Sequence, residues 1–140
     1  MIPSKEKVIS GLEDKFKVEL RSVRGKRIFY NGILDSGKEI LICTPESKLQ
    51  SKGYGWVDIT AKQYEILDRV LIGILAIRLE GNKVYYLNFE DLKKYLTAET
   101  MVNNAREGDH WKLYILSDHI KVLGNKNHLY IKANMIEEMG

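Results

Sequence analysis

The chain has 140 residues, 44% of them hydrophobic and 29% charged, a length and composition that fit one folded domain and exclude intrinsic disorder. Its formal net charge is +3; residues 1–52 carry 11 basic and 7 acidic side chains, whereas residues 53–140 carry 11 and 12. The excess is densest at Arg21, Arg24, Lys26 and Arg27, a pattern that fits either a phosphate-binding patch or a solvated helix end whose cations complement the helix dipole.

The first elements follow from apolar spacing and turn residues. Five apolar residues recur at spacings of three and four, namely Ile9, Leu12, Phe16, Leu20 and Val23. This stripe predicts a helix over about 5–23, ended by Gly25, because glycine readily takes positive φ. Strands are then predicted over 27–34 and 39–44, joined as a hairpin through the turn residues 35–37, and a polar loop is predicted over 45–55.

A strand–helix–strand unit is the clearest signal in the chain. A short strand over 56–59 precedes Thr60 and Gln63, whose spacing is that of a capping box at the start of a helix reaching about Leu71. The nearly all-apolar segment 74–79 predicts a strand covered on both faces. A Gly81-Asn82 turn leads to a strand over 84–87, and Asn88 is the expected cap of a helix ending near Leu96.

The last third of the chain predicts a β-meander. After a loop over about 97–109, short strands are expected over 111–116, 119–123 and 129–131, followed by a short helix over 134–139. The whole order predicts a mixed α/β (α+β) fold: a single domain over 1–140, with a central mixed sheet flanked by helices and a C-terminal β-meander. The most apolar stretch, 70–77, is too short to span a bilayer, so no membrane partner is expected.

One group of residues has the types needed for metal-assisted hydrolysis. Asp35, with Glu46 and Lys48 following at eleven and thirteen residues, matches an Asp…Glu-X-Lys pattern. Such chemistry needs carboxylates that hold a divalent ion and commonly a lysine near the attacking water. The alternative is that Asp35 is a turn former and that Glu46 and Lys48 are ordinary loop charges, since short patterns of this kind arise by chance in a charged chain.

Three segments carry a resemblance to a known family: KEILIC (38–43), GWVDITAKQYEIL (55–67) and ILAIRLEGNKVYYLNFEDLKKYL (74–96). In its order of elements, about residues 5–96 resemble the PD-(D/E)XK, or restriction-endonuclease-like, superfamily. The resemblance implies a second hairpin strand that delivers the acid and the lysine, a following helix with a glutamine, and then a buried strand. It also implies Mg²⁺ bound by Asp35 and Glu46, with Lys48 steadying the attacking water, if the chain is a phosphodiesterase.

The chain departs from that family's pattern at the motif. On the KEILIC strand, the positions expected for the acid and lysine fall near Cys43 and Pro45, which can supply neither group. Using Glu46 and Lys48 instead requires the strand to continue past Pro45, and proline removes a donor from the ladder. The chain therefore resembles either a degenerate member of the family or an unrelated domain with a similar order of elements, and in both cases binding is expected over cutting.

Other chemistries find less support. His110, His119 and His128 are evenly spaced, but a meander places His110 and His119 about 20 Å apart, and two histidines alone make a weak zinc site. The single cysteine, Cys43, lies in an apolar strand, which predicts an inert buried thiol. Because one cysteine cannot form an intrachain disulfide, a reducing cytoplasm is the expected location. The chain contains no Walker A loop and no GxGxxG fingerprint, so no nucleotide cofactor is expected.

What remains is a binding surface. Six residues are the candidates for contacting DNA: Arg24, Arg27, Lys48, Lys52, Tyr54 and Trp56. Cations meet phosphates, and aromatic faces stack on unpaired bases. The sequence thus predicts a DNA-associated domain. The alternatives are that Tyr54 and Trp56 merely anchor their loop, and that the chain is an interaction module, such as a homodimer formed through an exposed strand of the meander.

Overall fold

Two β-sheets and three helices make up the computed structural model, which describes residues 1–135. In chain order the elements are α1 (Lys5–Phe16), β1 (Arg21–Ser22), β2 (Phe29–Ile33), β3 (Glu39–Cys43), β4 (Glu46–Ser47), β5 (Gly55–Thr60), α2 (Ala61–Asp68), β6 (Ile72–Leu79), β7 (Lys83–Asn88), α3 (Phe89–Lys93), a 3-10 turn (Ala98–Thr100), β8 (His110–Ile115), β9 (His119–Val122) and β10 (His128–Tyr130). The predicted class is confirmed: a mixed α+β domain with a mixed sheet and an antiparallel C-terminal sheet. No helix in this part of the chain is long and apolar enough to cross a membrane.

The first sheet is mixed. β1, β2 and β3 form an antiparallel meander, β6 runs parallel to β3, and β7 pairs antiparallel with the other edge of β6. β4 also pairs with β6, in the register that β3 began: Ile40 pairs with Ile72 and Glu46 with Arg78. The extended chain therefore continues past Pro45, whose carbonyl accepts a hydrogen bond of 2.9 Å from the Arg78 backbone N–H. Proline costs this ladder one donor but does not end it.

The second sheet is antiparallel, with the strand order β10-β9-β8-β5. The meander of β8, β9 and β10 was predicted. The position of β5 was not, because its partner β8 lies about fifty residues further along the chain: Gly55 pairs with Ile115 and Thr60 with His110. From β5 the chain enters α2 and returns to the first sheet as β6.

Three layers result, with the first sheet in the middle. On one face, Leu12 of α1 packs in a cluster with Ile40 and Ile42. On the other face, Leu41 and Cys43 belong to a larger cluster that includes the inward side chains of the second sheet, α2 and α3. Because both faces of β3 are covered, its side chains from residue 40 on are buried and apolar in unbroken succession, as a doubly covered strand requires.

Several predicted boundaries are wrong. α1 ends at Phe16 rather than near residue 23, and Lys17 takes the left-handed conformation that closes it. Leu20 is buried but lies beyond the end of the helix, so its helical spacing was coincidental. Gly25, at φ +76°, lies in the turn between β1 and β2 and caps no helix. α2 likewise ends at Asp68. The helix predicted over 134–139 falls mainly on residues 136–140, which lie outside the described residues.

Candidate nucleic-acid interface

β5 carries the first outward-facing residues of the candidate interface. Its side chains alternate, so that Val57 faces the core while Trp56 and Asp58 face outwards. The Trp56 indole N–H donates a hydrogen bond of 2.8 Å to Asp58 Oδ1 on the same face. Residue 55 is glycine where the two sheets come close, because a Cβ there would collide with the Leu79 side chain. Gly55, the residue before Trp56, therefore lies against the first sheet.

Tyr54, Trp56, Lys112 and Tyr114 form what we call the aromatic cluster. Tyr114 of β8 lies directly across from Trp56, with ring centroids 5.4 Å apart and planes at 72°. Tyr54 meets the same tyrosine at 5.3 Å and 90°. Both are the edge-to-face arrangement that aromatic quadrupoles favour. Lys112 places its ammonium 4.6 Å from the centroid of the Trp56 ring, a cation–π contact.

His119, His128 and Tyr130 form a second group, the histidine cluster, on β9 and β10. The two imidazoles stack with centroids 4.7 Å apart and planes within 6°. Tyr130 pairs across from His119, lies at 45° to its ring, and is 72% exposed. His119 Nδ1 lies 2.7 Å from an Asp118 carboxylate oxygen, and this hydrogen bond holds the pKa of the Asp118 carboxyl below its usual value.

A lysine-bearing loop joins the aromatic cluster to the first sheet. Lys48 and Lys52 are both exposed and lie between β4 and β5. The Trp56 backbone N–H donates a 2.8 Å hydrogen bond to the Ser47 hydroxyl, which ties the two ends of the loop together. The short strand β4, unrecognised in the sequence, thus brings these lysines beside the aromatic cluster.

Arg24 and Arg27 lie in the exposed turn between β1 and β2. β2 begins at Phe29, which pairs with Cys43 at the end of β3. The two arginines are therefore at the end of the first sheet from which the chain continues to Glu46 and the lysine loop. All six residues predicted to contact DNA belong to this end of the first sheet or to the adjoining start of β5.

Asp35 is at the opposite end of the first sheet. Ile40 and Glu46 pair with residues of one continuous strand, β6, that are six positions apart. At about 3.3 Å per residue, this separation is roughly 20 Å. Asp35 lies in the β2–β3 turn, beyond Ile40 and further from Glu46. The structure therefore does not bring Asp35 together with Glu46 and Lys48.

The distance between Asp35 and Glu46 decides whether their carboxylates can bind one magnesium ion. Oxygen ligands of Mg²⁺ sit at about 2.0–2.1 Å, so two carboxylates cannot share an ion across the length of a sheet. Glu46 instead has a basic neighbour, since its Oε2 lies 3.9 Å from Arg78 Nη1. Among residues 1–135, no three histidine, cysteine, aspartate or glutamate side chains are grouped so that they could hold a metal ion. Asp35, Glu46 and Lys48 thus do not form a metal site in this structure.

His110 and Cys43, for which the sequence raised a metal site and a reactive thiol, are both buried. His110 begins β8 and is 3% exposed; its Nδ1 lies 3.0 Å from the Gly108 carbonyl oxygen, while its Nε2 has no hydrogen-bond partner in the described part of the chain. It lies apart from His119 and His128, which associate with each other. Cys43 is fully buried, and burial raises the pKa of its thiol. Neither residue lies in the candidate interface.

The fold and this surface together define an α+β domain whose antiparallel sheet presents aromatic rings and cations on its outer face. No family model, no curated protein and no solved structure matches the chain.

Half of this face was not predicted from the sequence. Tyr54 and Trp56 were identified, but their neighbours were not, namely Lys112, Tyr114, Lys121, His128 and Tyr130. The signal was the alternation of residues 110–115, in which Trp111, Leu113 and Ile115 are buried. The intervening positions then face outwards. What local patterns do not reveal is the partner strand that brings Trp56 beside them.

Proposed function

We propose that this chain is a non-catalytic DNA-binding domain and a degenerate relative of the restriction-endonuclease-like superfamily. The observation that carries the proposal is the aromatic cluster beside the lysine loop. Rings for bases and ammonium groups for phosphates are the two elements from which sequence-tolerant nucleic-acid surfaces are built. The aromatic cluster has more members than are needed to anchor the β4–β5 loop, because Lys112 and Tyr114 lie on β8 and not in that loop.

The order of elements supports the family part of the proposal. α1 precedes the β2–β3 hairpin, α2 follows, and β6 then returns as a buried strand parallel to β3. Gln63, the glutamine expected on the helix, is present on α2. Its side-chain oxygen accepts a 2.9 Å hydrogen bond from the Thr60 N–H, so in this chain it serves the capping box.

The distribution of charge supports the DNA part. Lys48, Lys52, Arg24 and Arg27 are exposed, and in residues 1–52 the basic side chains outnumber the acidic ones by 11 to 7. Asp58, which shares the outer face with the aromatic cluster, lies opposite Lys112 and accepts the Trp56 indole N–H. Phosphates approaching this end of the molecule therefore meet four exposed cations, against the carboxylates of Glu46 and Asp58.

Salt-titrated DNA binding tests the proposal. We expect affinity for a fluorescein-labelled oligonucleotide, in single-stranded or duplex form, to fall linearly in log–log form with salt. Replacing Lys48 and Lys52 together by alanine should lower the slope by about 1 to 2, one unit for each phosphate that a lysine no longer neutralises. Lys38→Ala is the matched control, because Lys38 is an exposed lysine in the β2–β3 turn at the other end of the sheet. Absence of salt-dependent affinity for both DNA forms would overturn the proposal.

A homodimer is the second candidate. β10 is a three-residue strand at the edge of the second sheet; its last residue, Tyr130, is 72% exposed, and Leu123, which follows β9, is 39% exposed. Unpaired edges with exposed apolar side chains are common sites of strand pairing between copies. Light scattering over a range of concentrations distinguishes this function, because a dimer gives twice the chain mass and a DNA-binding monomer does not. The free, buried thiol of Cys43 supports a cytoplasmic location for either function.

A further inference from the structure

Resting on the proposed function, we infer that the DNA bound here is single-stranded, and that it crosses the second sheet from the aromatic cluster to the histidine cluster. In this arrangement Tyr130 stacks on an unpaired base. The ligand is thus a stretch of DNA with splayed, accessible bases. The protein recognises the faces of these bases and the phosphates, and not the edges of base pairs.

The outer face of the second sheet is continuous. Trp56 pairs across from Tyr114, Tyr114 from Lys121, and Lys121 from His128. These four residues therefore form one row that crosses all four strands of the sheet. With strands about 4.8 Å apart, the row is roughly 14 Å long, which suits a few nucleotides at the lower end of known single-strand sites of about 4–16 nucleotides.

The row and the residues beside it combine aromatic rings with cations. Lys121 lies between Tyr114 and His128, and Lys112 lies two residues before Tyr114 on the same strand face. Phosphates of a strand lying along the row would pass within reach of both ammonium groups. The row and its immediate neighbour Lys112 therefore offer both of the groups that an unpaired strand needs, rings for its bases and ammonium groups for its phosphates.

Single strands and duplexes differ in whether the faces of their bases are accessible to aromatic side chains. In a duplex the faces of the bases are covered by their neighbours in the stack, so a sheet face with protruding rings can touch only phosphates and groove edges. Unpaired bases expose their π-faces, and aromatic side chains gain their full contact only with these. The exposed ring of Tyr130 therefore favours a single strand.

Tyr130 is the ring with most room for a base. Its centroid lies 5.8 Å from that of His119 and 6.5 Å from that of His128, at 45° and 49°, so neither imidazole stacks on it. At 72% exposed, it is also the most exposed aromatic residue of the two clusters. By contrast, Trp56 already has Lys112 over its ring and Tyr114 against it.

The experiment measures fluorescence anisotropy of a labelled strand of about 15 nucleotides, long enough to cover one site, and of the same sequence as a blunt duplex. We expect the wild-type chain to bind the single strand more tightly than the duplex. Tyr130→Ala should weaken single-strand binding by about 5- to 150-fold, the range for losing one stacked base, and leave duplex binding nearly unchanged. Tyr130→Phe should bind like wild type, because it keeps the ring.

Ile33→Ala is the matched control, since Ile33 is a 65% exposed large apolar residue at the far end of the first sheet. Thermal melting of each variant establishes that it folds. Equal or tighter binding of the duplex, or a Tyr130→Ala variant that binds the single strand like Ile33→Ala, would overturn the inference while leaving the proposed function intact. If neither DNA form binds and Tyr130→Ala instead weakens self-association, both are overturned in favour of the homodimer.

Discussion

Arg78 places a positive charge inside the first sheet, with its side chain 7% exposed. The charge is compensated mainly by neutral oxygens. Its guanidinium donates hydrogen bonds of 3.0 to 3.2 Å to the Thr44 carbonyl and hydroxyl and to the Pro3 carbonyl. Glu46, at 3.9 Å and with its side chain 60% exposed, contributes little by comparison, because water screens an exposed ion pair. Arg78 thus joins the N-terminal segment to the junction of β3 and β4.

Substitution of these two residues should have unequal effects on stability. Arg78→Ala leaves the oxygens of Thr44 and Pro3 without donors, and we expect it to lower the free energy of unfolding by about 3 kcal/mol. Glu46→Ala should lower it by less than about 1 kcal/mol. Urea denaturation measures both. Arg78→Lys serves as control and should recover only part of the loss, because an ammonium cannot reproduce the planar fork. Equal losses for Arg78→Ala and Glu46→Ala would contradict this account.

At the scale of elements, the start of α2 shows how a local motif fixes a boundary. The Thr60 hydroxyl accepts a 3.1 Å hydrogen bond from the Gln63 N–H, and the Gln63 side chain accepts one from the Thr60 N–H. Thr60 is also the last residue of β5, paired with His110. The same residue therefore ends a strand of one sheet and begins the helix that returns the chain to the other.

We expect Thr60→Ala to lower the free energy of unfolding by about 1 kcal/mol, because one first-turn N–H loses its acceptor. Thr60→Ser keeps the hydroxyl and should retain most of that stability, and Lys62→Ala, an exposed change on the same helical turn, should have almost none of the effect. Chemical denaturation followed by circular dichroism compares the three variants. A Thr60→Ala variant as stable as Lys62→Ala would exclude a stabilising role for the cap.

Elements defined by neighbours in sequence were predictable, and those defined by distant partners were not. The β2–β3 hairpin, the capping box at Thr60 and the cap at Asn88 all follow from residues within a few positions of each other. The end of α1 was misplaced because Leu20 keeps the helical spacing while β1 pairs with β2. β4 could not be predicted, because Glu46 and Ser47 form a strand only by pairing with Arg78 and Leu79, over thirty residues away.

The same rule governs the candidate site at the scale of the whole molecule. Tyr54 and Trp56 were recognised because their lysine-rich surroundings are local. Tyr114 and Tyr130 were missed because they reach the same face only through the pairing of β5 with β8 and of β9 with β10. Conversely, Asp35 and Glu46 are close in sequence but are separated by the length of the hairpin strand between them. Closeness in sequence thus wrongly suggested that Asp35 and Glu46 share a site. Distance in sequence concealed that Tyr114 and Tyr130 share a face with Trp56.

Because Asp35 and Glu46 lie at opposite ends of the first sheet, we expect them to take no part in catalysis. Phosphodiester cleavage by metal ions needs ligands gathered around one ion, and the first sheet holds Asp35 and Glu46 at opposite ends. In a plasmid-nicking assay with Mg²⁺ or Mn²⁺, we therefore expect wild type, Asp35→Ala and Glu46→Ala to be indistinguishable at equal concentrations of folded protein. Any nicking common to all three would then come from a source other than this pair. If wild type nicks DNA and each substitution abolishes the activity, Asp35 and Glu46 must meet in a second conformation of the sheet, and the chain would be a nuclease.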